Sequence, residues 1–346
     1  MTDAQPLPAK DSARFRAGAD AVEHALFEVK RVIVGQERVL ERVMVCLLAR
    51  GHVLLEGVPG LAKTLTVETL AEVVGGAFAR IQFTPDLVPS DIVGTRIYRA
   101  TTERFDVELG PVFANFVLAD EVNRAPAKVQ SALLEVMSEA QVSIGNETHR
   151  VPRPFLVLAT ENPIESEGVY PLPEAQQDRF LMKIEMGYPT HEEEVEVVQR
   201  MTARPPHASP VLDPVRLQAL QDLADDVYVD RAEVEHAVRL VGATRDPAAH
   251  GLGEIAPLIA QGASPRASIG LVRAARATAL LHGRGYVVTE DLLACVPEIL
   301  RHRLLLSYEA LAQGVTPDAL IDEIVRAVRP AERGRLAMVA RRSGTR

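Results

Sequence analysis

The chain has no tryptophan, and aromatic residues make up only 4% of its 346 positions. Stacking platforms for single-stranded nucleic acid are therefore thin. Cysteine is nearly absent too, with two residues in all, Cys46 and Cys295. Each sits inside an apolar helical pattern with no second cysteine or histidine at metal-ligand spacing, which makes both small core residues rather than redox or metal groups. The nine histidines are scattered and form no HExxH or similar cluster. No apolar run approaches bilayer-spanning length, and the opening MTDAQPLPAKDSARFRAG lacks the apolar core of a signal peptide, so no membrane span and a cytoplasmic location are expected. Net charge is −9. That balance argues against a general duplex-binding surface, because affinity for the phosphate backbone needs clustered Lys and Arg. Proteins are the expected partners, with a local nucleic-acid channel left open.

What the chain does have is length for two domains and a regular alternation of patterns. Residues 12–50 read as helices, with Phe15, Val22, Leu26 and Val29 on one face and Val39, Val43 and Leu47 on another. Strand signals follow near 52–56, 79–83, 115–120, 154–160 and 181–185, with helices near 63–75 and 126–140. This predicts an α/β domain with a parallel sheet covered on both faces. Two stretches interrupt it. Residues 86–110 read as a short helix and a hairpin turning near Thr101 to Arg104, and residues 141–152 as a second hairpin turning at Gly145-Asn146. Such additions are devices for handling a partner or plain loop elaborations. From Gly187 the pattern changes. A charged helix near 190–202 leads into Ala203-Arg204-Pro205-Pro206-His207-Ala208-Ser209-Pro210, which cannot be regular structure. Helices are then expected at 214–226, 230–245, 266–282, 289–305 and 316–328, with no strands. The expected division is an N-terminal helix at 1–30, an α/β core at 31–187, a linker at 188–212, an all-helical domain at 213–330 and a flexible arginine-rich tail at 331–346.

The segment Gly57-Val58-Pro59-Gly60-Leu61-Ala62-Lys63-Thr64 stands between an apolar strand and a helix. That is the order of a phosphate-binding loop, in which successive backbone N–H groups and a helix N-terminus receive an oxyanion. Lys63 would reach the β- and γ-phosphates of a nucleotide, and the Thr64 hydroxyl would ligate Mg²⁺. Ala62 departs from the strict pattern, which has glycine there. Alanine serves if that residue is in a right-handed helical conformation. Taken alone, the motif also fits an ordinary glycine-rich turn.

Phe116-Val117-Leu118-Ala119-Asp120-Glu121 is a buried-strand run ending abruptly in two carboxylates. Open parallel sheets bind ligands at strand carboxyl ends. There Asp120 can hold Mg²⁺ through its water shell, and Glu121 can orient and deprotonate an attacking water. The dipeptide alone equally fits a solvated strand end. Phe155 to Thr160 is a further buried run, followed by Glu161, Asn162 and Pro163. If its strand lies between those of the two phosphate-site motifs, Asn162 reaches the γ-phosphate and the nucleophilic water; otherwise it is a routine turn starter.

Together the loop GVPGLAKT, the strand FVLADEVNRAP, the segment VLATENPIESEGVYPLPEAQQDRFLMKI and the later GASPRA resemble the MoxR family of AAA+ ATPases, over roughly residues 30–330. The resemblance implies a five-stranded P-loop sheet followed by a helical lid, and membership of the group with an insertion in the second core helix and a hairpin before sensor 1. In that family alanine is common at the loop's sixth position. By the same resemblance Asn162 is sensor 1, Arg179 is an arginine finger offered to the neighbouring subunit's nucleotide, Arg266 is sensor 2, and Val34 and Gly35 form the adenine-side turn. The residues alone leave Arg179 open as a salt-bridge partner and Arg266 as an exposed helix-start arginine, although Ser264 and Pro265 make a helix start that fixes its place. The implied activity is Mg²⁺-dependent ATP hydrolysis by a ring, a homo-oligomer expected to be a hexamer. Its role would be chaperone-like remodelling of client proteins, with a von Willebrand factor A domain protein as a possible partner. A magnesium-chelatase-type metal-insertion subunit and a nucleic-acid motor of the helicase or clamp-loader kind stand as alternatives.

Overall fold

The computed structural model describes residues 9–58, 60–101, 103–162, 169–203 and 206–330. Pro59 of the loop and the arginine-rich tail therefore lie outside the described residues. The chain divides into two compact units, Met1–Asp226 with Leu280–Gly285, and Val227–Ala279 with Tyr286–Arg346.

The first unit opens with α1 (Ala9–Val32) and α2 (Glu37–Leu48), whose apolar faces bury Phe15, Val22 and Val29, then Val39, Val43 and Leu47. There follow β1 (Val53–Glu56), α3 (Lys63–Val74), β2 (Phe78–Gln82), α4 (Pro89–Val93), and the hairpin of β3 (Gly94–Arg99) and β4 (Arg104–Leu109). Next come β5 (Phe116–Asp120), α5 (Ala127–Glu139), the hairpin of β6 (Gln141–Ile144) and β7 (Glu147–Arg150), and β8 (Leu156–Glu161). The unit ends with α6 (Glu174–Gln177), β9 (Met182–Glu185), α7 (His191–Thr202) and α8 (Pro214–Asp225). Both expected hairpins are present, and Gly145 takes the positive φ of 64° that its tight turn requires.

The main sheet has five strands in the order β2-β5-β8-β1-β9, and every pairing is parallel. β8 therefore lies between the strand entering the phosphate loop and the strand ending in Asp120. β1, β5 and β8 are buried along their length and become half-exposed only at the last residue, which is why they read as continuous apolar runs. Leu54, Ile81, Val117, Ala119, Val157 and Ala159 share one cluster with Val129, Leu133 and Leu134 of α5 and Ile92 of α4. At the amino ends of the strands His52 is 8% exposed, and both ring nitrogens are used. Its Nδ1 accepts from the Val157 N–H at 3.0 Å and its Nε2 donates to the Met137 carbonyl at 3.1 Å.

The compact units divide after Asp226 rather than at residue 213. The cause is α8, which is tied to the first unit: Gln221 Nε2 donates to the Leu47 carbonyl at 2.7 Å, and Arg50 pairs with Asp222 and Asp225. The second unit holds α9 (Arg231–Arg245), β10 (Ile259–Gln261), α10 (Pro265–Leu281, whose last residues count with the first unit), α11 (Thr289–Leu293) and α12 (Val296–Leu300). It continues with β11 (Leu305–Leu306), α13 (Tyr308–Ala312) and α14 (Pro317–Ala327). It is helical, but with an antiparallel ladder of β10 and β11 that the helical periodicity did not predict. The single helix expected over 289–305 is two short helices, because Pro297 has no N–H to continue a helix and fits only the first turn of a new one.

Candidate nucleotide site

The carboxyl ends of β1, β8 and β5 converge on one edge of the sheet. β1 leads into the loop at Gly57, whose N–H donates to the Glu161 carbonyl at 3.3 Å. A Cβ on Gly57 would stand 3.0 Å from both Met186 Cβ and the Met186 carbonyl oxygen, so only glycine fits without displacement. Val58 is half-buried, Gly60 is exposed with φ +88°, and Leu61 packs inward. Ala62 has φ 57° and ψ 23°, a left-handed conformation, so the right-handed geometry expected for it does not occur. The loop needs that backbone turn to aim its amides, and here an L-residue bears the steric cost in a glycine's place.

Lys63 and Thr64 open α3, and its first turn contains no acidic residue to compete with a bound anion. Lys63 is half-buried and its Nζ donates to the Gly57 carbonyl at 2.6 Å. Burial holds its pKa below the usual lysine range, while Asp120, Glu121 and Glu56 act in the opposite direction. Glu56 pairs with Lys183 beneath the loop, and burial pushes the neighbouring Glu161 carboxyl above the usual range.

Asp120 and Glu121 are each held by residues that the motifs did not single out. Asp120 Oδ2 accepts from Arg80 at 2.6 Å and its Oδ1 accepts from the Thr160 hydroxyl at 2.7 Å. Glu121, at φ 55°, accepts from Gln82 Nε2 at 2.8 Å and pairs with Arg124 Nε at 3.0 Å. Arg80 and Gln82 alternate along β2 beside β5, with Gln82 opposite Asp120. Polar residues two apart on a strand next to an Asp-Glu end are the signal that could have found them. Asn162 is 6% exposed and directly follows β8.

The apolar turn at Val34 and Gly35 is anchored to the same edge. Gln36 Nε2 donates to the Gly187 carbonyl at 2.9 Å, next to the Met186 that backs Gly57, and a Cβ on Gly35 would strike the Glu193 carboxylate. Arg179 lies just beyond α6 with an exposed side chain that has no ion pair or side-chain hydrogen bond among the described residues. The salt-bridge alternative for it thus has no partner there. Arg266 belongs to the second unit, on the first turn of α10, where its N–H donates to Ser264 Oγ at 3.2 Å.

A half-buried ammonium at an acid-free helix N-terminus, within electrostatic reach of an aspartate and a glutamate at the carboxyl end of β5, is a donor set that suits a polyphosphate and a divalent cation. No helix among the described residues is long and apolar enough to cross a membrane, and none of the described side chains forms a separate metal cluster.

The strand order, loop and second helical unit define an AAA ATPase. Residues 52–182 match the ATPase family associated with various cellular activities (AAA), and residues 254–324 match the AAA lid domain. Chaperone MoxR1 of Mycobacterium tuberculosis is 57% identical, over 94% of this chain and 86% of that protein. YeaC of Bacillus subtilis is 44% identical, over 90% of this chain and 95% of its own length. A crystal structure of a candidate ATPase from Cytophaga hutchinsonii superposes with TM-score 0.87 at 46% identity, covering 93% of this chain and 98% of that one. The chain belongs to the MoxR family of AAA+ ATPases.

Proposed function

We propose that this chain hydrolyses ATP in a Mg²⁺-dependent reaction as one subunit of a ring, a homo-oligomer of expected hexameric form, and uses the turnover to remodel client protein complexes. The first unit would bind nucleotide and the helical second unit would respond to it. The observation that carries this reading is Lys63, half-buried at the start of α3 and within electrostatic reach of Asp120 and Glu121.

In the reaction, Glu121 takes a proton from a water whose oxygen bonds to the γ-phosphorus. The bond from that phosphorus to the bridging oxygen breaks, and ADP and phosphate leave. Thr64, and Asp120 through water, would hold Mg²⁺, whose positive charge would be supplied to the phosphate oxygens. Lys63 and the backbone N–H groups of residues 60–64 would hold the β- and γ-phosphates, and Asn162 would orient the water. Glu121 must first leave Gln82 and Arg124, which hold its carboxylate. Arg179, exposed and without a partner among the described residues, is suited to reach a neighbouring subunit's nucleotide. An arginine supplied in trans gives about 10³ to 10⁵ in rate. Arg266 would take the sensor 2 role, and a von Willebrand factor A domain protein is one partner that the family resemblance implies.

Subunit mixing tests the shared site. Arg179→Ala and Glu121→Gln chains, each inactive alone, are expected to regain partial ATPase activity when combined, because mixed rings contain interfaces with an intact finger and an intact base. Absence of recovery in rings shown to be mixed would count against a finger in trans.

A further inference from the structure

Thr160 is the last buried residue of β8, with no exposed surface, and nothing in the motifs assigns it a task. Its hydroxyl makes two bonds of opposite sense. It donates to Asp120 Oδ1 at 2.7 Å and accepts from the Glu121 N–H at 2.8 Å.

The ladder explains why a side chain is needed there. β5 and β8 pair in register from Phe116 with Leu156 to Ala119 with Ala159, and the regular pairing stops. Two residues further Glu121 turns to φ 55°, one of six non-glycine residues with positive φ among those described. That turn takes its N–H out of ladder geometry, and a buried amide left unpaired is costly. The Thr160 hydroxyl replaces the missing rung. On its other side Thr160 pairs with Leu55 of β1, and the next residue, Glu161, accepts the Gly57 N–H of the loop. Thr160 and Glu161 thus join the phosphate loop to the acid pair.

We infer that Thr160 is a positioning residue for hydrolysis: its hydroxyl fixes the Asp120 carboxylate for the metal and stabilises the left-handed turn that presents Glu121 to the water. This rests on the hydrolytic reading above. Thr160 occupies Asp120 Oδ1 and so sets the carboxylate rotamer, while Oδ2, now held by Arg80, would be the oxygen left to accept from a metal's water shell. Without the hydroxyl both carboxylates keep their identities but lose their aim.

The test uses the full chain with Thr160→Val, which keeps the shape and removes both bonds, and Thr160→Ser, which restores them. Steady-state kcat and KM for ATP are measured, with the Mg²⁺ concentration that gives half-maximal ATP binding. Thr160→Val is expected to lower kcat by about 10- to 100-fold, as for other groups that orient metal ligands, with KM changed less than about threefold and the Mg²⁺ midpoint raised severalfold. Thr160→Ser should stay within about threefold of wild type in all three. A Thr160→Val chain with wild-type kcat and Mg²⁺ midpoint overturns the inference, as does a Thr160→Ser chain that falls equally far. If Thr160→Val fails to fold, Thr160→Cys, with a weaker donor in a similar shape, is read the same way. A wild-type chain that binds ATP without turnover refutes the hydrolytic reading instead. The Mg²⁺ midpoint then judges Thr160 by itself, and an unchanged midpoint overturns the proposal.

Discussion

The two ends of the same three strands, β1, β8 and β5, are built on opposite principles. At the amino end His52 is buried, neutral and saturated, with Nδ1 accepting from Val157 N, Nε2 donating to the Met137 carbonyl, and the ring edge-on to Phe155 at 5.5 Å between centroids. At the carboxyl end Lys63 is half-buried against its own loop, the exposed Arg80 and Gln82 hold one oxygen each of Asp120 and Glu121, and Ala62 and Glu121 have left-handed backbone. One end uses polar groups to fix the sheet. The other keeps charge and strain where bonds would be exchanged if the proposed hydrolysis takes place, which is where departures from local rules concentrate in functional proteins.

The largest expected effect separates the two ends directly. Lys63→Ala removes the ammonium that would reach the β- and γ-phosphates, and because its present bond is to a carbonyl of the same loop, little of the fold depends on it. ATP affinity is expected to fall by at least about 100-fold, in line with loss of a buried charge-assisted contact of about 3 kcal/mol, while the urea midpoint stays within error of wild type. Undiminished affinity by titration calorimetry would remove the phosphate assignment, and a collapse in stability would erase the distinction between the ends.

The amino end answers to pH instead. Burial lowers the His52 pKa from the ordinary 6.5 to about 4, and the geometry gives the reason: a proton on Nδ1 would face the Val157 N–H. Because the folded pKa lies below the unfolded one, the unfolded chain takes up a proton that the folded chain refuses between those values. The stabilisation is complete above about pH 6.5 and is lost as pH falls toward 4, by about 1.4 kcal/mol per unit and about 3 kcal/mol in all. His52→Gln is expected to be less stable than wild type by about 1–3 kcal/mol at pH 7.5. Its urea midpoint should fall less steeply than the wild-type midpoint between pH 7 and pH 5. Parallel curves would show that His52 is not the titrating group.

The same contrast decides what was legible in the sequence. FVLADE and the loop before α3 could be read because a buried parallel strand is a continuous apolar run and its ligand end is an abrupt change to polar residues. Even the place of β8 could be posed as a condition, which the strand order then met. Thr160 and Arg124 were not legible as holders of the acid pair, because their roles depend on register across the sheet and on a turn; Arg80 and Gln82 left only the weaker signal of polar residues alternating along β2. Neither was the ladder of β10 and β11, whose three- and two-residue strands are too short to carry a period of two. The end of the first unit was displaced for a related reason: a proline pair in the sequence suggests a break, but Gln221 and Arg50 decide where the packing stops.

The smallest effect concerns the residue whose backbone geometry departed most plainly from expectation. Ala62 at φ 57° carries a steric cost of about 1–2 kcal/mol that glycine lacks, while glycine has a larger unfolded-state entropy worth about 0.5–1 kcal/mol. The two nearly cancel, so Ala62→Gly is expected to raise stability by no more than about 1 kcal/mol and to leave ATP affinity within about threefold. Ala62→Val sharpens the test, because a β-branched side chain fits the left-handed region worse than alanine and should lower the urea midpoint clearly. If glycine destabilised the chain and valine did not, Ala62 would be relaxed, and the strain assigned to the carboxyl end would reside in the Glu121 turn alone.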